Sequence, residues 1–392
     1  MSAGLQLLGG LSPAQFLRCY WQKQPLLISR AWPEFRDPLT PEDLAGLACE
    51  DGVEARLVQE RGATPWELRY GPFAEEDFLS LPDSHWTLLV QDVDKLVPET
   101  AVILEPFRFI PDWRIDDLMI SYAPEHGSVG PHVDDYDVFL LQGRGRRRWR
   151  IDARPVAADN FRTDTELRIM KRFEAQQEWV LGPGDMLYLP PRVAHYGVAL
   201  EPCLTYSIGF RAPSHRELLS GFLDALLEDV DEESRYRDPE LTVQANPGEI
   251  SPAAVAQVTA LLRDYLALRP AAVARWFGQF VTESKSALAA QPPEQPMGET
   301  QLLRHLRHGG RLLRNPGSRF AYLAPSAPGD AWRLFIDGRD FALGPDDAPL
   351  ARLLCRERTL PAAALLPLLN PAARARLLAL INEGWLLLHD DD

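Results

Sequence analysis

Apolar residues recur along this chain with two different periods, and the change between them divides it. Up to residue 211 the apolar runs are short, β-branched or aromatic, and bounded by Gly, Pro and Asp, so 55–58, 86–90, 118–123, 186–189 and 204–210 read as strands. The stretch 127–151, GSVGPHVDDYDVFLLQGRGRRRWRI, reads as two more. Side chains on a strand alternate between faces. Asp117, Met119 and Ser121 therefore share one side and Leu118, Ile120 and Tyr122 the other. In the same way Arg147 falls with Trp149 and Ile151, on the face opposite Arg146, Arg148 and Arg150. Ser12-Pro13 and Thr40-Pro41 each offer an N-cap followed by Pro at the first helical position, which predicts short helices over 13–20 and 41–49.

Beyond 211 the period becomes helical. Ser214 and Glu217 form a capping box ahead of Leu218, Leu219, Phe222, Leu223, Leu226 and Leu227. Ser251-Pro252 opens a second helix carrying Val255, Val258, Leu261 and Leu262, and a third runs from Ala271 through Trp276, Phe277 and Phe280. The polar, proline-rich stretch 286–299 reads as a linker. A helix at 302–306, strands at 320–323 and 332–336 with an Asp337-Gly338 turn, and helices at 350–355 and 373–381 then suggest a winged-helix-like module. The expected organisation is α+β with domains at 1–212, 213–288 and 289–392.

Candidate chemistry is concentrated in the first of these. His132 and Asp134 stand two apart on an expected strand and so face one side, and His195 follows an apolar run stopped by Pro190 and Pro191. H-x-D with a distant His is the donor set of the 2-His-1-carboxylate triad, which holds Fe(II) on one face and leaves open positions. A closed zinc site would want four ligands, commonly thiolates, and no CxxC occurs. H-x-D alone also fits unrelated hydrogen bonding. The tight Gly-Pro and Pro-Gly-Asp turns beside these residues add to it, because they feed ligands into the mouth of a small antiparallel barrel of the cupin, or double-stranded β-helix, plan. The run Arg144 to Arg150 fits a solvated basic patch, but an inward Arg147 needs an anion, and a guanidinium pairs bidentately with a carboxylate such as the distal one of 2-oxoglutarate. Asp117 reads either as a strand-end cap or as a pocket residue.

The segments PDWRIDDLMISYA, GPHVDDYDVFLLQGRGRRRWRI, PGDMLYLPPRVAH and YSIGFRAP, with YWQKQPLL near the start, resemble in order the motifs of the bacterial JmjC ribosomal oxygenases. That family hydroxylates an arginine of a large-subunit ribosomal protein, the one numbered sixteen, using Fe(II) and 2-oxoglutarate. The resemblance spans essentially the whole chain. It implies that His132, Asp134 and His195 are the iron ligands and that Ser121 and Arg147 contact 2-oxoglutarate, with Thr205 among the outer cosubstrate contacts. With that resemblance in hand the pocket reading of Asp117 is preferred, and strand alternation then puts Asp117 and Met119 around the substrate arginine together with Tyr136, two residues past Asp134 on the same strand face. It also implies a homodimer formed through the helical segment. Glu125 and His126 stand where the family pattern leads to glycine, and Thr205 where relatives can have Asn.

Composition changes this picture only at its edges. A net charge of -15 argues against broad phosphate-backbone binding and favours a basic partner, although acidity also simply aids solubility. With the acidic ending it reads the C-terminal module as a docking or structural element, with no direct DNA binding. No apolar run reaches transmembrane length, the start MSAGLQLLGG lacks a basic n-region, and four scattered cysteines fit free buried thiols, so the expected location is the cytoplasm. Two other readings keep the same barrel: a hydroxylase or demethylase of a different residue on a basic protein, and a non-catalytic cupin scaffold.

Overall fold

The computed structural model describes residues 7–60, 66–285, 288–325 and 330–389. The chain start, the first two linker residues and the acidic ending 390–392 lie outside the described residues. The chain forms two compact units, Met1–Ala212 with Lys285–Leu288 and Pro213–Ser284 with Ala289–Asp392.

Among the described residues, eleven strands build the first unit: β1 (Leu26–Ile28), β2 (Ala55–Gln59), β3 (Glu67–Tyr70), β4 (Trp86–Val90), β5 (Ile115–Ala123), β6 (Val138–Arg144), β7 (Arg147–Asp152), β8 (Gln177–Leu181), β9 (Met186–Leu189), β10 (Ala194–Ala199) and β11 (Cys203–Phe210). An eight-stranded antiparallel sheet in the order β1-β9-β6-β11-β5-β4-β2-β3 and a three-stranded sheet β10-β7-β8 close around one pocket, the double-stranded β-helix plan. The alternation read along β5 holds: Leu118 and Ile120 are fully buried in the core, while Asp117, Met119 and Ser121 line the pocket. On β7, Arg147, Trp149 and Ile151 are buried and Arg148 and Arg150 are partly exposed.

The expected helices form at Pro13–Cys19 and Pro41–Leu47, each under a capping box. The first brings Phe16 onto the large sheet, its ring 4.9 Å from that of Tyr188 and 5.4 Å from that of Phe139. One expectation fails within the central stretch. The strand read from 127 begins only at Val138, and 133–137 is irregular. Gly130 adopts a left-handed φ of 79° before Pro131, and the buried Asp137 carboxylate accepts from the Tyr188 hydroxyl at 2.6 Å and the Gln22 amide at 2.9 Å. These local demands displace a ladder.

In the second unit the three helices occupy His215–Glu228, Pro252–Tyr265 and Pro270–Thr282. The expected boundary at 288 does not separate these helices from the module beyond it, because the third helix packs on the strands that follow the linker. A Cβ on Gly278 would lie 2.4 Å from the Phe335 ring, and Gly338 N–H donates to Thr282 Oγ1 at 3.1 Å. The expected strands Phe320–Leu323 and Trp332–Ile336 form, with Asp337 and Gly338 both at positive φ as a two-residue hairpin turn requires. Four short strands escaped the pattern: Arg311–Arg314, Arg339–Leu343, Thr359–Pro361 and Leu386–His389. Leu302, Leu306, Leu312, Leu334, Leu354 and Leu377 form its core. No helix among the described residues is long and apolar enough to cross a membrane. Cys203 is buried, but Cys49 and Cys355 are partly buried and Cys19 is exposed, which corrects the expectation of buried thiols throughout.

Candidate metal centre and active site

His195 is the second residue of β10, and His132 meets it through an isolated antiparallel bridge in which each backbone N–H donates to the other's carbonyl, at 2.9 and 3.0 Å. This pairing sets the two rings face to edge, with centroids 4.2 Å apart. Both Nδ1 atoms lie beside carbonyls, His132 at 2.9 Å from Gly130 O and His195 at 3.0 Å from Val193 O. A carbonyl only accepts, so Nδ1 carries the proton in each ring and the Nε2 lone pairs are left facing the centre. Asp134 completes the group, with carboxylate oxygens 3.9 Å from His132 Nε2 and 3.5 Å from His195 Nε2. Its carbonyl accepts from Arg192 N–H at 2.7 Å, a residue held at φ 68°, which ties the two ligand-bearing segments together.

One donor atom from each of these three side chains falls within 4.8 Å of the others. Burial, helped by neighbouring His132, pushes the His195 imidazole down to about 4, although Asp134 opposes it, so the ring is neutral near pH 7 as metal ligation requires. Two neutral imidazoles and one carboxylate, gathered on one side of a cavity of about 640 Å³, fit an open-faced divalent metal.

Arg147 enters the same cavity from β7 with only 3% of its surface exposed. Its contacts are long: Nη1 to Thr205 Oγ1 at 3.4 Å and Ser121 Oγ at 3.5 Å, Nη2 to the Gly197 carbonyl at 3.5 Å, and among the described residues no hydrogen-bond partner for Nε and no acidic partner for the guanidinium. Burial holds the guanidinium below its ordinary range. Gly197 lacks a side chain for a visible reason, since a Cβ there would lie 2.6 Å from the Trp149 ring and 2.9 Å from Arg147 Nε. A buried cation with an orphaned donor and no acidic partner is incomplete. A carboxylate fits it.

Asp117, Met119 and Tyr136 line this cavity too. Asp117 accepts from Asp92 N–H at 3.1 Å, and glycine at 209 leaves it room, since a Cβ there would come 3.2 Å from its carboxylate. Burial pushes the Asp117 carboxyl up to about 7, with Asp116 and Asp92 adding to it and Lys95 opposing. The cap reading is thereby replaced by the pocket reading. Tyr136 does not extend a strand from Asp134 as expected; it stands in the irregular segment and is 42% exposed. His126 sits at φ 64°, the conformation that favours glycine, which gives the physical reason why glycine suits that place. Its ring lies 5.0 Å from that of His85 and its Nε2 3.5 Å from Glu125, on the surface.

Sequence reasoning passed over Asp92, Lys95 and Lys285. Asp92 is buried at a left-handed φ of 55° and takes ion pairs from both lysines, which hold its carboxyl low despite burial. Nothing in periodicity brings residue 285 beside residue 92. Gln142, fully buried beside Thr205, was also missed, because a glutamine inside a strand carries no motif.

A cupin barrel with two histidines and a carboxylate at its mouth and a buried arginine inside is the architecture of JmjC-type oxygenases. Residues 102–218 match the JmjC domain, and residues 260–387 match the ROXA-like winged helix. The chain is 40% identical over 304 residues to the ribosomal protein uL16 3-hydroxylase of Escherichia coli (strain K12), covering 78% of this chain and 80% of that protein. It superposes on the Escherichia coli ribosomal oxygenase solved with cobalt and 2-oxoglutarate with a TM-score of 0.82 and 36% identity, over 97% of this chain and 99% of that one. The form of that oxygenase with cobalt and succinic acid gives the same score and coverage. The chain belongs to the JmjC ribosomal oxygenase family.

Proposed function

We propose that this protein is an Fe(II)- and 2-oxoglutarate-dependent oxygenase that hydroxylates an arginine side chain of a large-subunit ribosomal protein. The observation that carries this reading is a single pocket holding a metal triad, a buried arginine without an anion and an inward carboxylate. In it His132, Asp134 and His195 would hold the iron, and Arg147 and Ser121 would receive the distal carboxylate of the cosubstrate, with Thr205 set against the Arg147 guanidinium as an outer contact. When bound, iron and 2-oxoglutarate supply the oxidising chemistry: O₂ and the 2-oxo acid are consumed, succinate and CO₂ leave, and one oxygen atom enters a C–H bond.

The remaining work belongs to the protein's own side chains. Ser121 and Asp117 stand four residues apart on one face of β5, ~13 Å along the strand, so cosubstrate and substrate ends are separated within the cavity. Asp117 accepts the fork of a guanidinium, Met119 borders its apolar stem, and Tyr136 at the mouth offers its ring to the planar cation. A lysine would satisfy fewer of these contacts.

The partner is basic and ribosomal, which suits an acidic protein and places the activity in the cytoplasm. The helices His215–Glu228 and Pro252–Tyr265 expose a leucine and valine stripe that includes Leu219 at 65%, Leu227 at 64% and Val255 at 54%. A second copy covers it in a C2 homodimer. The C-terminal module contributes docking or structural support, not DNA binding.

The test has two parts. Purified protein with Fe(II) should release CO₂ from 2-oxoglutarate, and its absence would leave a cupin scaffold. Mass spectrometry of ribosomal proteins from cells with and without the gene should show one arginine losing the mass of one oxygen in the deletion. Loss from a histidine or lysine, or an unchanged ribosome, would overturn the arginine assignment.

A further inference from the structure

Under the cosubstrate end of the pocket lies a buried amide whose orientation can be worked out. In the large sheet β11 runs between β6 and β5, and Thr205 is opposite Gln142 on one side and Ser121 on the other. Gln142 Nε2 lies 2.8 Å from the Arg144 carbonyl and 3.2 Å from the Leu204 carbonyl. Carbonyls only accept, so the Nε2 end must lie there, where the Cys203 thiol is a further partner of the Gln142 side chain, and Oε1 must face the Thr205 hydroxyl, 3.2 Å away. An amide oxygen also only accepts. The Thr205 proton is therefore donated to Gln142, and the Thr205 lone pairs are left to accept from Arg147 Nη1 at 3.4 Å. Ser121 likewise accepts from Arg147, at 3.5 Å, but among the described residues its own proton has no protein acceptor.

Donation thus runs in one direction, from Arg147 through Thr205 and Gln142 to two strand carbonyls, and each bond polarises the next. We propose that Gln142 is a positioning residue for the cosubstrate: by taking the Thr205 proton it makes that hydroxyl an acceptor that steers Arg147, so the distal carboxylate of 2-oxoglutarate draws its hydrogen bonds from Arg147 and Ser121. This rests on the assignment of Arg147 to that carboxylate. Thr205 then touches the arginine and not the cosubstrate. That division of labour uses the geometry as found, whereas donation from Thr205 to the carboxylate would orphan Gln142 Oε1 in a fully buried place.

The experiment is calorimetric binding of 2-oxoglutarate to the Mn(II)-loaded full-length protein, with oxalate as a chelating anion that has no distal carboxylate. Gln142→Met should weaken 2-oxoglutarate about fivefold to tenfold, the worth of one net hydrogen bond, and leave oxalate unchanged. Thr205→Val should weaken it to a similar extent, Thr205→Ser should restore it, and the Gln142→Met, Thr205→Val double variant should bind no worse than the weaker single one. Unchanged or tighter 2-oxoglutarate binding by Gln142→Met would mean that freed Thr205 serves the carboxylate directly, which overturns the inference. Parallel loss of oxalate would overturn it too, by making Gln142 a support of the whole pocket. Should Gln142→Met not fold, a crystal structure of the wild-type protein with Mn(II) and 2-oxoglutarate decides. Thr205 Oγ1 should stay in hydrogen-bond contact with Gln142 while Ser121 reaches the carboxylate, and Thr205 turned to the carboxylate instead would sink the proposal. Arg147→Met separates the two levels: undiminished 2-oxoglutarate binding there refutes the cosubstrate assignment itself, whereas loss there with no effect at Gln142 refutes only this inference.

Discussion

Asp117→Asn is the substitution on which the substrate end of the pocket can be judged. The folded protein holds this carboxyl at about 7 against 3.8 for the free group. Below the lower value it is protonated in both folded and unfolded chains and costs nothing. Between the two values the native state keeps a proton that the unfolded chain has released, so stability falls as pH rises, and above the upper value the loss is complete. At about 1.4 kcal/mol for each unit the full cost is roughly 4 kcal/mol. Asparagine keeps the size and can still accept from Asp92 N–H, but it carries no charge. The variant should therefore be ~2 to 4 kcal/mol more stable at alkaline pH and indistinguishable under acid, part of the gain being lost because a buried amide has its own desolvation cost. For a unit of this size that is roughly 5 to 15 °C in Tm, read by scanning calorimetry from about pH 5 to pH 8. The same change removes the guanidinium's partner, so arginine-peptide hydroxylation should fall on the order of 30-fold or more while substrate-free 2-oxoglutarate decarboxylation persists. In the wild type, kcat/KM for the peptide should rise with pH through about 7 as Asp117 ionises. A variant that melts like the wild type at every pH and hydroxylates normally would refute both the desolvated charge and its role.

His132→Ala or Asp134→Ala should abolish iron-dependent turnover and Mn(II) binding by electron paramagnetic resonance, since two ligands cannot fix a facial site. Arg147→Met should weaken 2-oxoglutarate by ~3 to 5 kcal/mol, more than a hundredfold in titration, while metal binding persists. Gly197→Ala would drive a methyl into the Trp149 ring and Arg147 Nε, so it should lower Tm through ~1 to 3 kcal/mol of overpacking and weaken 2-oxoglutarate together. Leu223→Glu places a charge in the exposed helical stripe, and sedimentation should show monomers in place of dimers with basal decarboxylation intact.

The elements with strong local signals were legible in the chain itself. Ser12, Thr40, Ser214 and Ser251 each cap the helix that their Ser/Thr-Pro or capping-box pattern predicted, because a capping hydroxyl and a preset proline φ act within one turn and need no tertiary partner. Alternation on β5 and β7 likewise told which side Ser121 and Arg147 face, since the pleat is a property of the strand alone. What the chain could not announce depends on who lies across the sheet. The 132–137 segment looked like a strand until Asp137 met Tyr188 and Gln22, and periodicity carries no record of those partners. Asp117 became a carboxyl poised near neutrality only when folding removed its water and set Asp116 and Asp92 beside it. Gln142 acquired a direction only when β11 placed Thr205 against it, because a hydrogen bond's polarity is decided by the groups on both sides and sequence supplies one side at a time.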